Sequence, residues 1–106
     1  MAALILVKPE VEWQASGGLF DFVIEYLIEH LSDADAIEWL QTVIDNNLGS
    51  VWFTEFSTST QDEILRLLRR GLMEAGNREI PESPAKPSAL AKLQELVELA
   101  DGDLEA

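Results

Sequence analysis

The chain has 106 residues, 47% of them apolar and 25% charged, and its 7 Lys and Arg against 20 Asp and Glu leave a net charge of −13. That is enough for one domain with its own core, and too apolar for a disordered segment. Without cysteine there is no disulfide framework, thiol nucleophile or zinc–thiolate site, a composition that suits the cytoplasm.

Residues 3–7, ALILV, are continuously apolar, and after Lys8-Pro9 the residues Val11, Trp13 and Ala15 alternate with polar ones. This reads as extended structure, two short strands about a turn at Pro9. No basic n-region precedes the apolar run, and Glu10 and Glu12 stand where a signal peptide has small residues, so the segment reads as mature sequence.

Ser16 to Ser32, SGGLFDFVIEYLIEHLS, carries Asp21, Glu25 and Glu29 four residues apart on one stripe of a helix, with nearly everything else apolar. At about 100° per residue the apolar arc covers roughly 240°, far more than one buried face needs. This predicts a central helix packed on several sides. It is too short and too acidic to span a membrane, which takes about 20 mainly apolar residues.

Ser32 or Asp33 then caps a second helix with an inner face of Ala36, Ile37, Leu40, Val43, Ile44 and Leu48 and a stop at Asn46-Asn47 before Gly49. Residues 50–56, SVWFTEF, fit either a strand pairing with the N-terminal segment or a short helix. Thr60 to Glu63 has capping-box spacing, and the stripe Ile64, Leu65, Leu68, Leu72 and Ala75 predicts a third helix ending at Gly76-Asn77. Residues 77–88 hold three prolines and read as a loop or linker, followed by a detachable last helix at about 88–101 capped by Ser88. The expected fold is mainly α: a single small four-helix domain with a short extended or β N-terminal portion.

Few side chains offer chemistry. His30 is the only histidine, with no nucleophile in a recognisable constellation, and its place in the apolar arc reads as a half-buried structural residue. Asp33, Asp35 and Glu38 fail the EF-hand pattern, because Ile37, Glu38 and Ile44 stand at the fifth, sixth and twelfth positions counted from Asp33. Arg66 and Arg70 have helical partners at i,i+4 in Asp62 and Glu74, and Arg69 and Arg70 suit the C-terminal half of a helix, which favours local pairing over a phosphate site. No enzyme activity, metal or cofactor is expected.

Charge is the lead. From Pro9 to Leu65 there are twelve Asp and Glu and no Lys or Arg. Nucleic acid and anionic membranes are repelled by such a surface, whereas a basic protein is attracted. Asp35, Glu38 and Asp45 share a helix face with Trp39 at its edge, and Glu25 and Glu29 lie on the first helix's stripe. These six are the candidate partner-binding residues, with Trp39 as the anchor. In size, helix content and acidity the chain is similar to the colicin nuclease immunity proteins. The resemblance covers general character alone: that family's paired tyrosines on a short helix are absent, Tyr26 being the only tyrosine, so no binding residue is carried over. It implies an immunity-protein or antitoxin-type inhibitor of a basic, nuclease-like bacterial toxin. The alternative is a helical adaptor or structural subunit, a homodimer included, using the apolar arc and the aromatic segment 51–56.

Overall fold

The computed structural model describes residues 2–101, with the side chain of residue 2 left out. The order of elements is β1 (Ala2–Lys8), β2 (Val11–Ser16), α1 (Gly17–His30), α2 (Ala34–Asp45), β3 (Ser50–Trp52), α3 (Thr58–Glu79) and α4 (Lys86–Asp101), with a single 3-10 turn at Phe53–Glu55 between β3 and α3. The architecture is mainly α, four helices with a small three-stranded sheet of order β2-β1-β3.

The continuously apolar β1 is the central strand, with Leu4 and Leu6 half-buried on its second face. It pairs antiparallel with β2 and parallel with β3, so Leu6 stands between Glu12 and Trp52. Ala3, Ile5, Val7, Trp13, Ala15 and Val51 are buried on one face, while Glu12, Gln14, Ser50 and Trp52 are exposed on the other. A sheet with one covered and one solvated face shows this alternation in its two outer strands. The turn at Pro9 has Glu10 in the left-handed region, φ 67°. Segment 50–56 satisfies both readings of its sequence in succession, a strand and then a helical turn.

α1 is capped by Ser16, whose hydroxyl accepts from the Leu19 amide, and it packs on β1, β2, α2 and α3. Phe20, Val23, Ile24, Tyr26 and Leu27 are buried. The Tyr26 hydroxyl donates to the Leu67 carbonyl of α3 at 2.7 Å. Burial, and secondarily the charge of Glu74, raises the Tyr26 pKa and keeps that hydroxyl protonated. His30 is exposed, not half-buried. It lies in the last turn and packs its ring at 4.7 Å on Tyr26, so the tyrosine fills the core position and the histidine covers it from outside.

Asp33 caps α2, accepting from the amides of Asp35 and Ala36. The helix stops as its sequence predicts. Asn47 is left-handed at φ 54°, its amide bonds to the Ile44 carbonyl and that of Leu48 to Val43, the paired bonds of a Schellman motif.

α3 begins earlier and ends later than its sequence suggests. Its cap is Ser57, which accepts from the Thr60 amide, because the side chains of the apparent capping box are engaged elsewhere. The Thr60 hydroxyl donates to Asp33, and Glu63 accepts from the amide and hydroxyl of Ser32. Gly76 does not end the helix. It is buried against α4, where an added Cβ would come 2.7 Å from Leu93, so the glycine serves close packing. α3 continues to Glu79 and stops because Pro81 pushes Ile80 into the extended region, φ −76° and ψ 126°.

The expected loop 77–88 is therefore shorter, with residues 80–85 outside the helices. α4 starts at Lys86, before Ser88, since Pro87 is tolerated in a first turn whose amides lack partners anyway. Lys86 is 8% exposed and donates to the Asn77 carbonyl at 3.0 Å and to Glu82 at 2.8 Å. An orphan carbonyl at the α3 C-terminus is thus satisfied by a cation, the sign that end favours. α4 is fastened rather than loosely appended. Leu93, Leu96 and Ala100 are fully buried, and the Trp13 indole N–H reaches the Lys92 carbonyl at 2.9 Å.

Candidate functional site

The core accounts for most of the large apolar side chains. Among the described residues the exposed ones are Trp39 at 42%, Leu48 at 48% and Trp52 at 49%. All three line one open groove of about 360 Å³, together with Ser50, Val51 and Glu55.

Each reaches the groove for a local reason. On α2 the buried residues are Ala36, Leu40 and Val43, and Trp39, about 70° round the helix from their centre, is left at the edge of that face. The left-handed Asn47 ends the helix and sends Leu48 outward. In β3 the alternation buries Val51, so its neighbours Ser50 and Trp52 face solvent. The following 3-10 turn buries Phe53 and leaves Glu55 exposed at the rim.

A second depression, of about 490 Å³, adjoins the first. Trp39 and Glu55 line both, and Asp33, Asp35, Ala36, Phe56 and Ser57 complete the second. Its base is rigid: the Thr60 hydroxyl bonds to Asp33, Ser57 bonds to Thr60, and the starts of α2 and α3 are thereby tied together. The Thr60 hydroxyl, reinforced by the Ala36 and Asp35 amides, holds the Asp33 carboxyl below its ordinary pKa. Asp33 is thus committed to structure, and Asp35 and Glu55 are the charges free to meet a ligand.

The six candidate residues are divided. Asp35 and Trp39 lie at the site. Glu38 is exposed on the same helix, and Asp45, also exposed, accepts from Gln41 at 3.0 Å. Glu25 and Glu29 are elsewhere, lining a shallow groove between α1 and α3 with Phe22, Tyr26, Ala75 and Glu79. The stripe on α1 borders α3, whereas the outer face of α2 borders β3, and no residue lines both places. Sequence reasoning placed Leu48 on the inner face of α2, whereas the helix ends at Asp45 and Leu48 is exposed; it named Trp52 only within the aromatic segment 51–56 and did not single out Glu55. The signal for Trp52 was the triplet Ser50-Val51-Trp52: as a strand it can bury its valine or its tryptophan, and not both.

The arginines follow a different arrangement from the one their spacing suggests. Arg69 reaches the C-terminal end of α4, at 3.4 Å from the Ala100 carbonyl and 3.8 Å from Asp101. The expected Asp62–Arg66 and Arg70–Glu74 pairs are not among the ion pairs of the described residues, and both arginines are solvent-exposed. Where both charges are solvated, such a pair gains little.

Among the described residues no cluster of three or more His, Asp or Glu is placed to hold a metal ion. No helix there is long and apolar enough to cross a membrane. Comparison with protein-family models, with curated proteins and with solved structures finds no match.

Proposed function

We propose that this protein is an acidic binding module for a basic protein, acting as an immunity-protein or antitoxin-type inhibitor of a nuclease-like toxin. One observation carries the reading: Trp39, Leu48 and Trp52, the large apolar side chains left exposed among the described residues, converge on one groove with the Glu55 carboxylate at its rim and Asp35 in the adjoining depression. Aromatic anchors surrounded by charge are the usual composition of a protein-binding hot spot. The net charge of −13 selects the sign of the partner. Nuclease surfaces are positive because their substrate is negative, and a compact acidic protein competes for that surface.

The test starts from a photo-crosslinking amino acid at Leu48 in cells of the native organism, with the captured protein then purified. Stopped-flow association at two salt concentrations should slow with salt. Charge reversal at Glu38 and Asp45 should lower the association rate and flatten its salt dependence, and Trp39→Ala should mainly speed dissociation. Arg66 and Arg70 variants should bind as the parent does, and a captured nuclease should lose activity at one-to-one stoichiometry. An acidic captured partner, or binding lost in the arginine variants and kept in the acidic ones, overturns the reading.

The second reading, a homodimeric adaptor, is favoured by one feature: β3 is an edge strand beside the exposed aromatics, a position open to strand pairing. Repulsion between two copies of this charge opposes it. Size-exclusion chromatography with light scattering separates the two, since a dimer in the absence of any partner supports the adaptor.

A further inference from the structure

The groove has a more specific composition than a generic apolar patch. Two indoles from different elements, Trp39 of α2 and Trp52 of β3, line it, Leu48 and Val51 supply aliphatic surface, and Glu55 is the one charged lining residue. At about 360 Å³ it lies at the small end of the range of ligand pockets, roughly 300–1,000 Å³. It accommodates a side chain and not a helix.

Three kinds of side chain can be compared for this space. An aliphatic one would cover the indoles but would strip water from Glu55 without giving it a partner. A lysine ammonium would satisfy Glu55, yet it is a compact, strongly hydrated charge that stacks poorly on a ring. A guanidinium does both. It is planar and weakly hydrated, lies flat on an indole face, and offers a carboxylate two parallel hydrogen bonds. Asp35, in the depression that shares Trp39 and Glu55 with the groove, adds a second negative charge at the entrance.

We infer that the groove between Trp39 and Trp52 is an arginine subsite, with Glu55 as the counter-charge for the guanidinium. The inference rests on the binding-module reading and names the side chain by which the basic partner is held.

The full chain, labelled with nitrogen-15 and at low salt, is titrated with an acetylated, amidated Gly-Arg-Gly peptide. Parallel titrations replace Arg by citrulline (its neutral isostere), lysine or leucine. The three indole N–H signals serve as reporters. Trp13 is the internal control, since it is buried and bonded to the Lys92 carbonyl. The arginine peptide should move the Trp39 and Trp52 signals saturably and leave Trp13 in place. Citrulline and leucine should bind about tenfold more weakly, and lysine between these limits. Glu55→Gln should weaken the arginine peptide about tenfold while leaving the citrulline peptide unchanged. Trp52→Leu, at a half-exposed position that the core does not need, should weaken all cationic peptides with the fold intact. Equal binding of citrulline or leucine, or Trp39 and Trp52 signals that stay fixed at high peptide concentration, overturns the subsite. If the crosslinked basic partner still binds in that case, only the subsite is lost. If no basic partner binds either, the underlying reading falls with it.

Discussion

At the scale of single residues, the tightest constraint is the approach of Gly71 to Tyr26. A Cβ on Gly71 would stand 2.5 Å from the Tyr26 hydroxyl oxygen and 3.6 Å from its Cζ. The oxygen cannot yield easily, being part of a buried side chain bonded to the Leu67 carbonyl. Ordinarily Gly→Ala in a helix gains about 1 kcal/mol of propensity. Here Gly71→Ala should destabilise the protein, with overpacking costing about 1–3 kcal/mol. In the Tyr26→Phe background the obstructing oxygen is gone, and the same substitution should become stabilising. Urea melts of the four variants give the cycle. A Gly71→Ala gain of the same size in both backgrounds would show that the hydroxyl does not set the helix spacing.

At the scale of elements, the starts of α2 and α3 are joined by Asp33, Thr60 and Ser57 instead of by apolar contact alone. Asp33 has a lowered pKa, chiefly because the Thr60 hydroxyl bonds to its ionised form. A carboxyl whose folded pKa lies below its unfolded one adds stability above the unfolded value, and that stability is lost as pH falls through the folded value. Asp33→Asn cannot titrate, so it should flatten part of the stability loss below about pH 4. Thr60→Val should act on the same limb by returning the Asp33 pKa towards its ordinary value. Thermal melts from pH 3 to 7 read this out, and parallel pH profiles for parent and both variants would contradict it.

At the scale of the whole molecule, positive charge is concentrated away from the acidic half. The ion pairs of Arg69, Arg78, Lys86 and Lys92 all lie beyond residue 68. From Pro9 to Leu65 twelve carboxylates have no basic residue among them. Self-repulsion of this kind lowers stability and is screened over about 10 Å at 0.1 M salt. Adding sodium chloride up to that concentration should therefore raise the Tm, and a rise of about 4–8 °C would correspond to roughly 1 kcal/mol in a domain near this size. Glu38→Gln should raise the Tm at low salt and reduce the salt response. A Tm that falls with salt would mean that ion pairs, and not repulsion, dominate the electrostatics. Stability lost to an uncompensated surface is consistent with a surface kept acidic for a partner.

The sequence by itself determined the elements whose signals are local. Residue-to-residue periodicity and cap chemistry act within a few residues, so α1, the hairpin at Pro9, the Asp33 cap and the Asn47 stop were all legible. The tertiary structure decided whatever depended on a neighbour distant in sequence. Gly76 reads as a helix stop until Leu93 is placed against it, and Thr60 reads as a cap until Asp33 claims its hydroxyl. His30 reads as half-buried until Tyr26 takes the core position beneath it. The site follows the same division. Acidity and the candidate Trp39 could be read in the chain, but Leu48, Trp52 and Glu55 could not be joined to it. They meet only because β3 pairs in parallel with β1 and so comes beside α2, a long-range pairing that residues 50–56 allowed as one of two readings and that local pattern could not decide.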